Sequence, residues 1–320
     1  VSVFGVNGNF DDCQSAVKAA FADESLTTWL HAEKRLKLSS ANSINWGRLL
    51  PQIVYYVSAY ADLVASGGVT SGAPMDVCVP TGNFGNILGA YYAKLMGVPI
   101  GRLICASNEN NVLADFITTG VYDISSRDFV TTPSPSMDIL ISSNLERLLY
   151  HLAGPDAVAG WMAELAENKR FQVDADTFHA VRELLVGDFV TNAESLATVR
   201  RVWDEFGYLM DPHTAVAWEV ASRTMSDNPI VVVSTAHWAK FGADVLKALT
   251  GTAYGDPLGE RYADKTGVEL LGEVQGVVGG HACVPAALAE LDAATARFTA
   301  TVEAGRDGVE NAVRAWLTGR

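Results

Sequence analysis

The chain of 320 residues carries enough apolar side chains to bury a sizeable core. Hydrophobic residues make up 49% and charged residues 19%, and no apolar run approaches the roughly 18 residues that cross a bilayer. This composition argues against disorder and against membrane insertion. The net charge is −14, and no cluster of Lys and Arg forms a basic stripe, so a nucleic-acid surface is not expected. An anionic ligand must therefore be held by local groups.

Cysteine spacing and the first residues bear on compartment and processing. The four cysteines, Cys13, Cys78, Cys105 and Cys283, form no CxxC pair. This scatter favours reduced thiols in a cytoplasmic protein over a disulfide framework or a zinc site. The chain begins at Val1 without a targeting signal. We interpret it as a piece of a longer protein, with its first strand at residues 1–6.

The predicted elements alternate between strands and helices along the chain. Apolar residues recur at helical spacing from Cys13 to Phe21 and again after Trp46. Short apolar runs predict strands at residues 36–38, 76–80, 100–106, 230–235 and 297–302. The fold class predicted from this alternation is α/β, with a twisted, mostly parallel sheet and helices on both faces.

One long segment, residues 142–226, shows the helical period almost throughout. Phe178, Val181, Leu184 and Leu185 are an example of this spacing. We therefore expect a helix-rich insertion at 142–226.

Two polar segments could each hold an anion. Residues 81–86, Thr-Gly-Asn-Phe-Gly-Asn, lie between a predicted strand and a helix, where a helix N-terminus directs N–H groups at a bound anion. They lack the dinucleotide and NTP fingerprints, so an ordinary βα turn remains an alternative. Residues 39–45 precede a second helix that carries Arg48. An N-cap at Asn45 explains part of this second pattern without a ligand.

A third candidate segment ends the apolar run at residues 230–235. Side chains at the carboxyl ends of parallel strands face the ligand crevice, which favours ligand contact for Thr235 or His237. The alternative is that Ser234 or Thr235 caps the next helix, and His213 has the same ambiguity. Metalloprotease, serine-hydrolase and EF-hand motifs are absent from the sequence.

Taken together, several segments resemble threonine synthase in order and approximate spacing. They are residues 8–14, 42–48, 79–86, 133–139 and 234–237. The resemblance implies a fold like that of tryptophan synthase β, which is fold type II of the pyridoxal-phosphate enzymes. It implies conversion of O-phospho-L-homoserine and water to L-threonine and phosphate, with pyridoxal 5'-phosphate as cofactor. Residues 1–320 would then form the large, C-terminal cofactor-binding domain of a longer enzyme.

The same resemblance assigns site residues. The cofactor phosphate would bind Gly82, Asn83, Phe84, Gly85 and Asn86, and the pyridine nitrogen would bind Thr235. The substrate phosphate would bind Asn42, Ser43 and Arg48. We expect the turn at residues 81–86 and Thr235 to bind opposite ends of one cofactor ring.

One departure from the family concerns the catalytic lysine. The FKD-type segment that carries the Schiff-base lysine, and the TSGDTG-like loop, do not occur in these 320 residues. We therefore assign no catalytic residue in this chain and expect it to show no turnover alone. Two alternatives stay open: a threonine-synthase-like phospho-lyase acting on another phosphorylated amino acid, and a non-catalytic module that binds phosphoanions.

Overall fold

A computed structural model describes residues 2–8 and 10–319, without the side chains of Phe10, Asp11, Gln14 and Asp292. The helices are α1 Phe10–Ala22, α2 Glu24–Lys34, α3 Trp46–Ala65, α4 Gly85–Leu95, α5 Val112–Thr119, α6 Leu145–Ala153, α7 Pro155–Asn168, α8 Ala175–Leu184, α9 Asn192–Phe206, α10 Pro212–Arg223, α11 Gly242–Thr250, α12 Gly267–Val277, α13 Ala286–Ala289 and α14 Arg306–Thr318. In the described ranges, none of the helices has both the length and the apolar character needed to cross a bilayer.

The strands are short, and most of them pair in parallel. They are β1 Gly5–Asn7, β2 Met75–Pro80, β3 Ile100–Ser107, β4 Val121–Asp123, β5 Arg170–Gln172, β6 Leu185–Phe189, β7 Ile230–Val232 and β8 Thr301–Glu303. Only β4 and β5 pair antiparallel among the strands of the described residues. The predicted first strand includes Val1, which lies outside the described residues.

The chain divides into two compact units, where the sequence predicted one domain over residues 1–320. The first unit combines Val1–Ala41 with Glu290–Arg320. In it, β1 pairs in parallel with β8, and Leu26 and Leu30 are buried in a small core. The second unit is Asn42–Ala289, and it contains every candidate cofactor and phosphate residue.

The second unit is built on a four-stranded parallel sheet in the order β6-β3-β2-β7. Side chains alternate across it, because successive residues of a strand point to opposite faces. Val77 and Val79 join the main core with α3 to α8, whereas Cys78 and Ile104 pack with α10 on the other face. The predicted parallel sheet with helices on both faces is confirmed.

Helix starts in this unit follow local capping chemistry. The Thr191 side chain and Glu194 form a capping box at the start of α9. Asp211 caps α10, and Pro212 occupies the first helical position, where its missing N–H costs nothing. The Asp211 cap fixes where His213 enters α10.

Several local predictions differ from the structure. Residues 36–38 form no strand, since α2 ends at Arg35 in a left-handed conformation (φ 53°) and the chain then continues without a pairing partner among the described residues. The segment 142–226 holds five helices, but it also contains β5 and β6. Leu185, predicted on a helix face, is the first residue of β6 and pairs with Leu103. The strand predicted at residues 230–235 is shorter than predicted and ends at Val232.

Candidate functional site

The turn at residues 81–86 joins β2 to α4 and leaves the start of α4 uncapped. Phe84 is left-handed (φ 61°) at the N-cap position, and no side chain there accepts a hydrogen bond from the helix. The N–H groups of a first helical turn have no partner within the helix. Together with the helix dipole, they make this end of α4 suited to an anion such as a phosphate ester.

Two glycines of the turn allow close approach by other segments. A Cβ built on Gly82 would lie 3.0 Å from both Ser136 O and Met137 Cα. A Cβ on Gly85 would lie 2.4 Å from Ser43 Cβ. Any larger residue at position 85 must displace the neighbouring segment, so glycine here is a packing requirement.

A polar run that sequence reasoning missed braces the same turn. Ser142 Oγ donates to Gly82 O (2.8 Å), Ser143 Oγ donates to Asn83 Oδ1 (3.0 Å), and Asn144 Nδ2 donates to Asn83 O (2.8 Å). Asn144 is fully buried, and its Oδ1 has no hydrogen-bond partner among the described residues. The sequence signal for this brace is the polar run Ser-Ser-Asn directly before α6, which is similar to the polar run before α3.

The second predicted anion segment lies against the first. Asn45 caps α3 by accepting from Gly47 N (2.9 Å), as the cap alternative predicted. Gln52 Nε2 donates to Ser43 Oγ (2.8 Å), which holds Ser43 against Gly85. Arg48 is exposed, and its guanidinium pairs with no carboxylate among the described residues.

Asn42 and Asn86, two further predicted site residues, have structural roles in their own segments. Asn42 Oδ1 accepts from Ile44 N (3.2 Å), and Asn42 O accepts from Asn45 N (3.0 Å), which shapes the turn ahead of α3. The Tyr56 hydroxyl donates to Asn86 Oδ1 and so ties α3 to α4. Burial raises the pKa of Tyr56 far above its usual range, so it remains a donor at any ordinary pH.

Thr235 lies at the same edge of the sheet as the turn. The register pairs Cys78 of β2 with Val232 of β7, and Val233 N donates to Cys78 O (2.9 Å). The residues that follow β2 and the residues that follow β7 therefore both lie at the carboxyl edge of the sheet. Thr235 is exposed, and its hydroxyl forms no hydrogen bond with the described residues.

The two histidines that the sequence singled out have different roles. His237 is exposed and caps a short 3₁₀ helix, Trp238–Phe241, by accepting from Ala239 N (3.2 Å). His213 is buried at the start of α10, where its Nδ1 contacts Asp211 Oδ1 (2.9 Å). Its ring also packs on Phe241, with 4.7 Å between ring centroids.

Two buried carboxyls beneath this edge have pKa values shifted in opposite directions. Burial raises the pKa of Asp138 and outweighs the hydrogen bonds from Thr132 and Asn108. Burial acts the same way on Asp211, but hydrogen bonds from His213 and Thr214 more than offset it and lower the pKa of Asp211. Asp211 is therefore a buried anion at neutral pH.

This arrangement has the parts that a phosphorylated ring requires. The uncapped start of α4 can accept a phosphate group, and the free hydroxyl of Thr235 at the neighbouring strand end can hydrogen-bond a ring atom. The segment around Ser43 packs against Gly85 of the same turn, and Arg48 is exposed at the start of α3.

Comparison with known proteins points to a single family. The family described as Threonine synthase, C-terminal matches residues 214–313. Threonine synthase-like 1 of Macaca fascicularis is 49% identical over 248 residues, which are 77% of this chain and 33% of that protein. Threonine synthase of Saccharomyces cerevisiae is 39% identical over 271 residues, covering 78% of this chain and 51% of that protein.

A solved structure extends the similarity to the fold. The crystal structure of pyridoxal-phosphate-bound threonine synthase from Brucella melitensis has a TM-score of 0.75 and 36% identity, covering 98% of this chain and 59% of that chain. The chain thus spans between a third and three fifths of these relatives. By sequence and by fold type, this chain belongs to the threonine synthase family.

Proposed function

We propose that this chain contributes the cofactor-binding and substrate-phosphate-binding surfaces of a pyridoxal-phosphate enzyme. Gly82, Asn83, Phe84, Gly85 and Asn86 would bind the cofactor phosphate at the start of α4. The observation that carries the proposal is the packing of Ser43 on Gly85. It places a second polar segment, with Arg48, directly beside the first, as a phosphorylated cofactor and a phosphorylated substrate require.

The residues present fit the cofactor. Gly82 and Gly85 let Met137 and Ser43 approach the backbone of the turn, and the Phe84 side chain at the N-cap does not compete for the first N–H groups of α4. Bound pyridoxal phosphate would supply the electron sink for the reaction. Thr235 would hydrogen-bond the pyridine nitrogen through a neutral hydroxyl, so it would not hold a proton there as firmly as a carboxylate. Asn42, Ser43 and Arg48 would bind and orient the substrate phosphate.

The reaction we propose for the protein that carries these residues is that of threonine synthase. It converts O-phospho-L-homoserine and water to L-threonine and phosphate. The relatives of that name, from Saccharomyces cerevisiae and Brucella melitensis, support this assignment. The lysine segment of the family does not occur in these 320 residues, so we expect the chain alone to bind ligands without turnover.

A second candidate is a threonine-synthase-like phospho-lyase, which would release phosphate from another phosphorylated amino acid without forming threonine. The specific observation in its favour is sequence identity. Threonine synthase-like 1 of Macaca fascicularis is 49% identical, whereas the Saccharomyces cerevisiae threonine synthase is 39% identical over a similar share of this chain.

One assay separates the candidates when applied to the natural protein that contains these residues. With O-phospho-L-homoserine and, in parallel, other phosphorylated amino acids as substrates, phosphate and threonine are measured separately. Equal yields of both products support threonine synthase. Phosphate without threonine supports the phospho-lyase. Failure to bind pyridoxal phosphate and to release phosphate would reject both enzymes.

A further inference from the structure

A buried carboxylate joins the two parts of the candidate cofactor site. Asp211 and His213 are only 1% and 2% exposed at the start of α10. Asp211 Oδ1 accepts from His213 N (2.9 Å) and contacts His213 Nδ1 (2.9 Å), and Asp211 Oδ2 accepts from the Thr214 hydroxyl. A helix cap needs only the first of these contacts, so the others call for a separate explanation.

The first connection runs from Asp211 to the glycine turn. His213 Nε2 accepts a hydrogen bond from Ser136 N (3.3 Å), and a nitrogen that accepts carries no proton. The proton must therefore sit on Nδ1, where it is donated to Asp211. Ser136 O in turn lies 3.0 Å from the position of a Cβ on Gly82. The imidazole fixes the backbone that supports the turn.

The second connection runs from Asp211 to the end of β7. The Thr214 hydroxyl proton is committed to Asp211, so its oxygen is left to accept from the Ser234 hydroxyl, 3.0 Å away. Ser234 directly precedes Thr235. The alternative acceptor for Ser234, Ala236 O, is more distant at 3.4 Å. The Thr214 hydroxyl thus fixes the residue next to the proposed ring-binding hydroxyl.

The helix that carries these side chains is itself anchored to the sheet. Val216 and Val220 of α10 are fully buried against the strand face that includes Cys78 and Ile104. Cys78 Sγ also contacts Ala217 O at 3.2 Å. A group at the start of α10 is therefore held at a fixed position relative to both strand ends.

We propose that Asp211 is a positioning residue that sets the spacing between the phosphate-binding turn and the ring-binding Thr235, acting through His213 and Thr214. The inference rests on the proposed function, because it assumes that both segments bind one cofactor. It assigns a role to three buried residues that lie outside the proposed phosphate-binding and ring-binding segments. Each connection makes a separate prediction, since one supports the phosphate end and the other the ring end.

The test measures pyridoxal phosphate and inorganic phosphate binding to the natural protein that contains these residues, with the absorption spectrum of the bound cofactor as a second readout. Thr214→Val removes the hydroxyl with little change of shape. We expect about a tenfold weaker pyridoxal phosphate affinity and a shifted absorption maximum, with phosphate affinity unchanged. Thr214→Ser, which keeps the hydroxyl, should restore both values. His213→Gln should weaken the binding of inorganic phosphate as well.

A matched control is Thr198→Val in α9. Thr198 is also a buried threonine that donates to a carboxylate, Glu219 Oε2 (2.9 Å), but it belongs to neither connection. It should leave both affinities and the spectrum unchanged. If Thr214→Val behaves like Thr198→Val while the wild-type natural protein binds pyridoxal phosphate, the positioning role is rejected and the proposed function stands. If the wild-type natural protein binds no pyridoxal phosphate, both are rejected.

Discussion

Ser43 packs against the Cα of Gly85, so closely that a Cβ at position 85 would lie 2.4 Å from Ser43 Cβ and 2.6 Å from Ser43 Oγ. Real Cβ atoms do not approach other heavy atoms at such distances, because packed interiors tolerate little overlap. The contact joins two segments separated by about forty residues of sequence. It makes the first turn of α4 and the segment before α3 a single structural feature.

This contact predicts that Gly85→Ala disrupts anion binding more than it disrupts folding. The added methyl must push Ser43 away, since the two segments are held by Gln52 and by the start of α4. We expect about tenfold weaker binding of inorganic phosphate. Calorimetric titration of the variant against the wild-type chain measures the difference.

Relief and control variants make the Gly85 prediction specific. Ser43→Gly in the Gly85→Ala background removes the overlapping atoms and should recover part of the lost affinity. Gly160→Ala in α7 adds a methyl where nothing lies within 4 Å, and it should leave phosphate binding unchanged. No loss on Gly85→Ala, or an equal loss on Gly160→Ala, would contradict the steric explanation.

The strands and helices around the site were predictable where local pattern and tertiary packing agree. The helix predicted after Trp46 is confirmed as α3, because its apolar spacing runs without a break. The helical prediction for Leu185 was wrong because a short apolar run fits a helix or a strand equally well. Gly187 explains the outcome: a Cβ there would lie 3.0 to 3.1 Å from Ile117 and Ala114, so α5 packs directly on this strand. This packing of α5 on β6 is a long-range contact, and the local sequence carries no signal for it.

The site shows the same division between local and long-range information. Residues 81–86 carry their own signal, since a glycine-containing turn between a strand and a helix suits an anion. The braces from Ser142 and Ser143, and the contact of Ser136 with His213, join residues that are 60 to 77 positions apart. Such pairs follow from strand order and from loop packing, and these are not readable from spacing.

Arg48 provides a prediction about the second anion contact. Its guanidinium is exposed and has no carboxylate partner among the described residues. With pyridoxal phosphate at saturation, Arg48→Ala should weaken the binding of a further phosphate about tenfold, because a charge-assisted hydrogen bond is lost. The phosphate affinity of Arg48→Lys should lie between those of the wild type and Arg48→Ala, since lysine keeps the charge without the planar guanidinium group. Arg182→Ala, an exposed arginine on α8, serves as the control and should show no change.

Asp23 provides a pH-dependent prediction for the first unit. Hydrogen bonds from Leu26 N and Ser25 lower the pKa of Asp23 from 3.8 to about 2. A folded-state pKa below the unfolded value means that the stabilisation is present above pH 3.8 and is lost as the pH falls towards 2. Asn also caps helices well, so Asp23→Asn should remove this titration and retain the cap.

The measurement for Asp23 is thermal unfolding, followed by helical circular dichroism, from pH 5 down to pH 2. The wild-type chain should be more stable than Asp23→Asn at pH 5, and the two curves should converge as the pH falls. Other carboxyls titrate in both proteins and cancel in the difference. A gap between the curves that stays constant over this range would show that Asp23 does not titrate as its contacts require.

We expect no lysine of this chain to form a stoichiometric adduct with pyridoxal phosphate. Lys94 has a lowered pKa because of burial, but its ammonium donates to Ile100 O (2.5 Å) and Gly101 O (2.6 Å), which keeps it from reacting. Lys240 follows the Thr235 segment and lies 5.5 Å from the centroid of the Phe241 ring. Incubation with pyridoxal phosphate and borohydride should therefore label no single lysine stoichiometrically, as judged by peptide mass spectrometry. One stoichiometric adduct, at Lys240 for example, would place a catalytic lysine inside this chain and overturn the assignment of none.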